Sequence, residues 1–411
     1  MNAQPNPLQP AIAAYRLGDV EKALALAGEQ VALAAPGDFF AHVVMCEVLH
    51  RAGRIDELQE FLALTDDFLQ DPRGRLMQAK AARRAGDLPL AEELLTGLLA
   101  ADIAPALHRV AAFELNVVLD CLGRHADAWQ AAAQAHQRST RSFPVAQLVE
   151  ALRVTAQAPA AELAALPKAT RRAPRTACVL GLPRSGTTLL EQMLDGHSLV
   201  RGVGELHLPG QMADAMARAG GGWPLGALRA LPAALDEMQA RYLNESRSSR
   251  DLPATVWSLD KTLFPMMQPL FIAGVLPGAK VLHITRDARD NAVSLFMNNM
   301  DPSWGWTGSL DAIRQVIAAE RQYLPVILDK LQLDVVTLRF EDLVDDPEAT
   351  LRRVLAHLGL AWEDACARPQ DNPRLVFTLS HEQVRRPVNR QGLGRWLNHR
   401  EVFGADWDAL V

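Results

Sequence analysis

The sequence predicts two architectures in one chain: an all-α N-terminal repeat array, followed by an α/β domain with a central parallel sheet. Three observations lead to this α + α/β prediction. A glycine-containing pair recurs at a nearly constant interval through the first third of the chain. A short apolar run leads into a glycine-rich turn after residue 175, and further apolar runs lie at 279–285 and 334–340. With 411 residues, the chain has room for two or three domains.

The recurring pair is Gly-Asp or Gly-Arg, at spacings of 33 to 37 residues. The fifth residue after each glycine is alanine in three units and leucine in one, and a proline follows each unit. We expect the glycine to turn the chain between two antiparallel helices, the small residue to let them approach, and the proline to end the second helix. The glycines are Gly18, Gly53, Gly86 and Gly123, the fifth residues are Ala23, Leu58, Ala91 and Ala128, and the prolines are Pro36, Pro72, Pro105 and Pro144.

This pattern, over residues 8–145, resembles a degenerate tetratricopeptide repeat, whose period is about 34 residues. An all-helical bundle with chance spacing is the alternative. Repeat arrays usually present a concave binding surface, but an array can also brace a neighbouring domain, and the pattern leaves both roles open. We predict a repeat domain over 1–150, a linker with one short helix over 151–174, and the α/β domain over 175–411.

The α/β domain begins with an anion-binding pattern. Residues 176–180 predict a buried strand, which leads through a glycine-rich turn into a helix. Backbone N–H groups and a helix N-terminus in this arrangement favour a bound anion. The glycine spacing is that of a P-loop, but Thr187 stands where an ATP-binding loop has lysine. The candidate ligand-binding residues of the turn are Arg184, Ser185, Gly186, Thr187 and Thr188.

A second anion-binding pattern follows the predicted strand at 279–285. Arg286 opens the next turn, and Ser294 lies eight residues later in a predicted helix. A planar guanidinium suits bidentate binding of phosphate. The alternative is an ordinary helix start that Asp287 caps, with Arg289 in solvent.

Together the two patterns resemble sulfotransferases that use 3′-phosphoadenosine 5′-phosphosulfate (PAPS). The Arg-Ser-Gly-Thr-Thr stretch is similar to their 5′-phosphosulfate loop, and the arginine and serine of their 3′-phosphate site match Arg286 and Ser294. The resemblance spans about residues 175–400 and points to tyrosylprotein sulfotransferases and to bacterial repeat-containing sulfotransferases. Further matching segments are Asp195-Gly-His197, Arg201-Gly-Val-Gly-Glu205, Asp260-Lys261, Phe340-Glu-Asp-Leu-Val344, Gln383-Val384-Arg385, Pro387-Val388-Asn389 and Gly394-Arg395-Trp396.

The resemblance implies transfer of a sulfuryl group from PAPS to an acceptor hydroxyl, with release of 3′-phosphoadenosine 5′-phosphate (PAP) and no metal. A protein tyrosine, a sugar and a small metabolite are all open as acceptors. The resemblance adds Arg395 and Trp396 to the cofactor-binding residues. Relatives often have tyrosine at the position of Phe340, so a phenol hydrogen bond to the cofactor is absent here.

Catalysis needs a base for the acceptor proton and cations near the developing charge. Glu205 matches the glutamate proposed as base in tyrosylprotein sulfotransferases, with His197 and His207 as local competitors. Arg184 and Lys261 are the cationic candidates, and an ion pair with Asp260 is the alternative for Lys261. The stretch from Gly220 to Trp223 predicts a loop over the acceptor cleft.

Two other functions stay open: a P-loop nucleotide kinase, and a non-catalytic adaptor whose second domain has decayed. A net charge of −6 argues against nucleic-acid binding, and the absence of any apolar run of 18 residues predicts no membrane span. The four cysteines have neither disulfide nor zinc spacing, and the N-terminus lacks a secretory signal. We therefore expect a cytoplasmic protein whose partner is the acceptor, including a peptide or protein held by the repeats.

Overall fold

A computed structural model describes residues 7–16, 18–137, 144–206, 208–212, 215, 234–248, 252–263, 268–372, 374 and 386–410. The chain divides into two compact units. The first comprises Met1–Arg141, Phe296–Gly308 and Arg374–Glu382, and the second comprises Ser142–Leu295, Ser309–Pro373 and Gln383–Val411. Residues 151–174, predicted as a linker, group with the second unit, and the predicted domain limits stay a prediction.

The first unit is built from helix pairs joined by short turns. In four of these turns the predicted glycine has a φ between 75° and 89°, a left-handed conformation that glycine adopts without steric cost. The predicted glycine turns are therefore confirmed. The helices are α1 (Gln9–Arg16), α2 (Val20–Leu33), α3 (Phe40–Ala52), α4 (Ile55–Ala63), α5 (Asp66–Gln70), α6 (Pro72–Ala85), α7 (Leu88–Ala100), α8 (Pro105–Cys121) and α9 (His125–Gln137).

Small and apolar side chains form the contacts within these pairs. Ala23, Leu58, Ala91 and Ala128 are all completely buried, as the spacing predicts. The short helix α5 is an addition between the second and third pairs. The tetratricopeptide assignment itself stays a prediction.

The prolines have a different role from the one predicted. Pro72 and Pro105 are the first residues of α6 and α8, and Pro144 precedes the next helix as its N-cap. The expectation that these three prolines end the preceding helix is therefore wrong. Proline lacks an N–H, but the first turn of a helix leaves its N–H groups unpaired in any case, so proline opens a helix without loss.

The second unit surrounds a parallel five-stranded sheet with the order β2-β3-β1-β4-β5. Predicted strands at 176–180, 279–285 and 334–340 are confirmed as β1, β4 and β5, whereas β2 was not predicted. The helices and strands of the second unit are α10 (Val145–Gln157), α11 (Ala160–Ala164), β1 (Thr176–Leu180), α12 (Thr187–Asp195), β2 (Val200–Gly204), α13 (Leu235–Ser248), β3 (Trp257–Asp260), α14 (Gln268–Val275), β4 (Lys280–Thr285), α15 (Ala288–Phe296), α16 (Leu310–Lys330), β5 (Asp334–Arg339), α17 (Phe340–Asp345) and α18 (Pro347–Leu358).

Short 3₁₀ segments complete the described chain, at Pro302–Gly308, Asp364–Ala367, Pro369–Asp371, Arg390–Gly392, Arg395–Val402 and Ala405–Leu410. Among the described residues, no helix combines the length and the apolar character that a membrane crossing requires.

The sheet places several of the predicted site residues at one edge. Since all the strand pairs are parallel, the carboxyl ends of the strands lie together, which is where ligands bind in open α/β sheets. The first strand in sequence, β1, lies at the centre and all five of its residues are buried. The residue after each of β2, β3 and β4 is a candidate, Glu205, Lys261 and Arg286 respectively, and Phe340 follows β5.

Candidate functional site

The turn between β1 and α12 is tightly constrained by its neighbours. A β-carbon on Gly186 would lie 2.3 Å from Cδ2 of Phe340, and Gly186 has a φ of 101°. Arg184 is a non-glycine residue with a φ of 66°, a conformation that surrounding contacts must hold in place. The sequence therefore requires glycine at position 186 both for the backbone conformation and for the space that Phe340 occupies.

The first turn of α12 faces this loop. Among the described residues, no side chain caps the helix at Gly186. Backbone N–H groups at such a helix start suit an anion. Thr187 and Thr188 in this turn are buried, and the Ser185 hydroxyl donates to the carbonyl oxygen of Leu182 at 2.7 Å.

Cations from three segments meet beside this loop. Nε of Arg184 donates to Oγ of Ser294 at 3.0 Å, and Nη1 of Arg286 donates to the carbonyl oxygen of Arg184 at 2.9 Å. Burial, together with the nearby charges of Arg286 and Arg395, lowers the pKa of Arg184 to about 9. Burial also lowers the pKa of Arg286, whose buried Nε has no hydrogen-bond partner among the described residues. The arrangement fits an anion that carries more than one negative charge.

Arg286 is fixed from several sides. Its Nη2 donates to the carbonyl oxygen of Gly392, and its guanidinium lies 4.7 Å from the ring centroid of Phe340. Arg321, on α16, donates from Nη2 to the carbonyl oxygen of Arg286 at 2.7 Å. The side chain is therefore held in one position beside Arg184, with the ring of Phe340 against its guanidinium.

The helix start after Arg286 combines both of the roles weighed for it. Oδ1 of Asp287 accepts hydrogen bonds from the backbone N–H groups of Arg289 and Asp290, each at 3.0 Å, so Asp287 does cap α15. Arg289, however, lies over the ring of Trp396, with 3.7 Å between its Cζ and the ring centroid. The part of the alternative in which Arg289 extends into solvent is wrong, because this aromatic face offers a closer partner.

Asp290 brings the C-terminal segment to the site. Its Oδ2 accepts from the N–H of Gly394 at 2.7 Å, and its Oδ1 accepts from the N–H of Trp396 at 2.9 Å. Arg395 lies between these two bound residues, and its charge acts on both Arg184 and Arg286. The predicted residues Gln383, Val384 and Arg385 lie outside the described residues.

Glu205 and Lys261 form an ion pair at the ends of β2 and β3. Nζ of Lys261 lies 2.5 Å from Oε1 of Glu205. The Lys261 side chain is 2% exposed, whereas that of Glu205 is 55% exposed. The buried ammonium therefore holds a carboxylate that solvent, or an acceptor, reaches.

The alternative partner of Lys261, Asp260, is excluded. Successive side chains at a strand end point to opposite faces, so neighbours in sequence do not meet. Asp260 instead accepts from the Tyr242 hydroxyl at 2.8 Å and from the N–H of Thr262 at 2.7 Å.

Two histidines, His197 and His207, were the alternative candidates for the base, and the structure describes only His197. His197 is buried, and both of its ring nitrogens are engaged with the backbone: Nδ1 with the N–H of Leu199 and Nε2 with the carbonyl oxygen of Ala361, each at 3.0 Å. His197 therefore has no free ring nitrogen that could take the proton of the acceptor hydroxyl. His207 and the stretch 220–223 lie outside the described residues.

Several residues that hold the site were not predicted. They are Asp290, Arg321, Tyr242 and Thr262, together with Glu191, whose Oε1 accepts from the N–H of Gly204 at 2.9 Å. Helical spacing from Arg286 could have identified Asp290. No local pattern could have identified Arg321 or Tyr242, because each acts on a residue at least 18 positions away.

A cavity of about 790 Å³ lies next to Arg286. Residues of β4, β5 and α16, including Arg321, line it together with Arg286 and Asp287. Its volume is in the range of small-molecule binding sites. It includes neither Arg184 nor Glu205, so it adjoins the arginine group without containing the ion pair.

Comparison with known proteins points to one family. Residues 177–364 match the family model described as the sulfotransferase family. The chain is 28% identical over 236 residues to an uncharacterised protein of Aquifex aeolicus, over 55% of this chain and 31% of that protein. It is 25% identical over 235 residues to protein-tyrosine sulfotransferase 2 of Gallus gallus, covering 53% and 62%, and 25% identical over 249 residues to protein-tyrosine sulfotransferase A of Caenorhabditis elegans, covering 56% and 63%. The chain thus spans less than two thirds of each of these relatives.

Solved structures with some likeness are also sulfotransferase domains. The domain from the curacin biosynthetic pathway is 18% identical, with a TM-score of 0.42, over 58% of this chain and 97% of that domain. The domain from the Synechococcus PCC 7002 olefin synthase is 20% identical, with a TM-score of 0.41, over 60% of this chain and 96% of that domain.

Proposed function

We propose that residues 177–364, which match the sulfotransferase family model, form a domain that transfers a sulfuryl group from PAPS to an acceptor hydroxyl. The observation that carries the proposal is the group of Arg184, Arg286 and Arg395 beside an uncapped helix start. Their mutual repulsion is costly until an anion offsets it. PAPS carries negative charge at both its 5′ and its 3′ ends.

The residues divide naturally between these two ends. Arg184, Ser185, Gly186, Thr187 and Thr188 would hold the 5′-phosphosulfate. Arg286 and Ser294 would hold the 3′-phosphate, and Arg395 and Trp396 would close the site from the C-terminal segment. The unpartnered Nε of Arg286 supports this division, because a buried N–H without an acceptor is unfavourable until a ligand supplies one.

PAPS supplies an activated sulfuryl group: the acceptor oxygen bonds to sulfur while the sulfur–oxygen bond to the 5′-phosphate breaks and PAP leaves. Glu205 takes the proton of the acceptor hydroxyl. Lys261, at 2.5 Å, holds that carboxylate in one orientation. Arg184 lies on the leaving-group side, where its charge stabilises the oxygen that gains negative charge.

The names of the curated relatives favour one acceptor class. Those from Gallus gallus and Caenorhabditis elegans are protein-tyrosine sulfotransferases, which supports a tyrosine side chain as acceptor. The exposed carboxylate of Glu205 is compatible with an acceptor that arrives on a polypeptide. A sugar or a small phenol would need the same base, so the experiment includes all three.

The test combines turnover with binding. The full-length protein is incubated with ³⁵S-labelled PAPS and a tyrosine peptide, a monosaccharide or p-nitrophenol, and PAP binding is measured by calorimetry. We expect PAP binding without Mg²⁺ and labelled product with at least one acceptor. Absence of PAP binding would overturn the proposal. Mg²⁺-dependent ATP binding would instead support a kinase, and PAP binding without transfer to any acceptor would support an adaptor.

A further inference from the structure

We propose that Tyr242, Asp260 and Thr262 form a polar clamp that positions Glu205 and Lys261 for catalysis, an inference that rests on the proposed sulfotransferase function. Each of the three side chains is buried, with at most 9% of its residue surface exposed. None of them is therefore accessible to an acceptor. They are positioning residues, which act through the exposed carboxylate of Glu205 and through its buried partner Lys261.

The clamp is a continuous chain of hydrogen bonds. The Tyr242 hydroxyl donates to Oδ2 of Asp260 at 2.8 Å. The Thr262 hydroxyl donates to Oδ1 of Asp260 at 2.6 Å, and its oxygen accepts from the N–H of Leu206 at 2.7 Å. The chain therefore begins on α13, passes through the end of β3 and finishes on the backbone that follows β2.

Its effect is to fix Glu205 and Lys261 from both sides. On the side that precedes Glu205 in sequence, the carbonyl oxygen of Gly204 accepts a hydrogen bond from the N–H of Lys261 at 2.9 Å. On the side that follows Glu205, the hydroxyl oxygen of Thr262 accepts a hydrogen bond from the N–H of Leu206. Each member of the ion pair thus lies between bound neighbours, so the two turns keep one register and the carboxylate has a defined direction.

The clamp is also anchored to the centre of the sheet. Nε2 of Gln268 donates to the carbonyl oxygens of Thr262 and of Val179, each at 2.8 Å. Val179 belongs to β1, which leads into the arginine-containing turn. The position of the base is therefore defined relative to the strand that carries the anion loop.

Thr262 allows a direct test, because its hydroxyl is both donor and acceptor. Thr262→Val keeps the shape and removes both hydrogen bonds, whereas Thr262→Ser keeps both. Misplacement of a catalytic group by about 1 Å can cost about 100-fold in rate. We expect Thr262→Val to lower kcat at least 10-fold while the Kd for PAP stays within twofold, and Thr262→Ser to restore at least half of the wild-type kcat.

Ser258 provides the matched control. It lies on β3, four residues before Thr262, is buried, and its hydroxyl has no hydrogen-bond partner among the described residues. Ser258→Ala should leave kcat within twofold. Should Thr262→Val fail to fold, Tyr242→Phe takes its place, with an expected three- to tenfold loss of kcat at unchanged PAP affinity. Unchanged kcat in the folded clamp variants, or a parallel loss of PAP affinity, would overturn the proposal.

A readout that needs no turnover separates this inference from the proposed function. Trace acetylation by acetic anhydride, quantified by mass spectrometry, measures how open each lysine is. We expect acetylation of Lys261 to rise at least fivefold in Thr262→Val relative to Lys280 and not in Ser258→Ala. If the wild type transfers no sulfuryl group, the proposed function fails, and an unchanged Lys261 rate would independently reject the clamp.

Discussion

Nη1 of Arg286 lies 2.9 Å from the carbonyl oxygen of Arg184, so one hydrogen bond joins the turn after β1 to the turn after β4. The two strands are neighbours in the sheet. The bond also explains how Arg184 keeps its left-handed backbone conformation, because its carbonyl group is held from the adjacent strand. The two turns predicted to bind anions therefore lie side by side.

This relationship predicts a large effect of Arg286 on PAP binding. Arg286→Met removes a charge and also releases the Arg184 carbonyl, so we expect the Kd for PAP to rise at least 100-fold, about 3 kcal/mol of binding free energy. Arg286→Lys keeps the positive charge but lacks the two-pronged guanidinium, so its Kd for PAP should lie between those of the wild type and Arg286→Met. Calorimetry checks both. Arg241→Met, on the exposed face of α13, is the control for a general loss of positive charge and should change Kd by less than twofold.

Glu205 should affect turnover and not donor binding. Glu205→Gln removes the base but keeps the shape, so we expect kcat to fall about 100-fold or more, the usual contribution of general base catalysis. The Kd for PAP should stay within twofold, since Glu205 lies at the end of β2, whereas Arg184 and Arg286 lie in the turns after β1 and β4. Steady-state kinetics and calorimetry separate the two effects, with Glu237→Gln on the exposed face of α13 as the control. Full activity of Glu205→Gln would remove Glu205 as the base.

Gly186 should be intolerant of even one methyl group. Gly186→Ala adds the cost of a positive φ, about 1 kcal/mol, to a collision with Phe340. We expect the free energy of unfolding in urea to fall by about 2 kcal/mol or more, with loss of PAP binding. Gly359→Ala separates the two causes, because Gly359 also has a positive φ but nothing lies within 4 Å of its β-carbon. Equal destabilisation by both variants would contradict the predicted role of Phe340.

The buried carboxyl group of Asp260 predicts a pH-dependent difference in stability. Burial raises its pKa from 3.8 to about 6, so folding disfavours the ionised form. Wild-type stability from this group is therefore fully present below pH 4 and is lost as the pH rises to about 6. Asp260→Asn does not ionise, so its free energy of unfolding relative to wild type should rise by about 2–3 kcal/mol between pH 4 and pH 7. If the unfolding free energies of the wild type and Asp260→Asn changed in parallel with pH, the raised pKa of Asp260 would be refuted.

The helix pairs of the first unit should resist larger residues at their close contacts. Ala91 has no exposed surface, so Ala91→Leu must displace neighbouring helices, at about 1–3 kcal/mol of unfolding free energy. Thr96→Leu places the same side chain on an exposed position of α7 and should change stability by less than 0.5 kcal/mol. Chemical denaturation of both variants checks this. A neutral Ala91→Leu would argue against close helix packing at this position.

Contiguous signals made much of this fold predictable. The turn after β1 and the start of α15 are short stretches whose strand, turn and helix follow one another in sequence. In contrast, β2 escaped prediction because Val200–Gly204 contains two glycines, which have little intrinsic preference for a strand. Its position depends on β3 and on a carboxylate from α12, Glu191, which accepts from the N–H of Gly204.

The site shows the same division. Glu205 and Lys261 were identified separately, but their pairing was not, because sequence adjacency suggested Asp260 as the partner of Lys261. The alternation of side chains along a strand decides otherwise. Likewise, the contacts of Arg321 with Arg286 and of Tyr242 with Asp260 join distant segments, and only the folded chain brings them together.

The parallel direction of the sheet also offers a way to attach the protein to a surface or a dye. Gln332 lies in the exposed turn before β5, at the edge opposite the arginine group. Three of the four native thiols are buried, at Cys46, Cys178 and Cys366, and the fourth, Cys121, is exposed. Replacing Cys121 by serine and Gln332 by cysteine would give one reactive handle, by which the molecule could be immobilised with its ligand-binding edge facing the bulk solution.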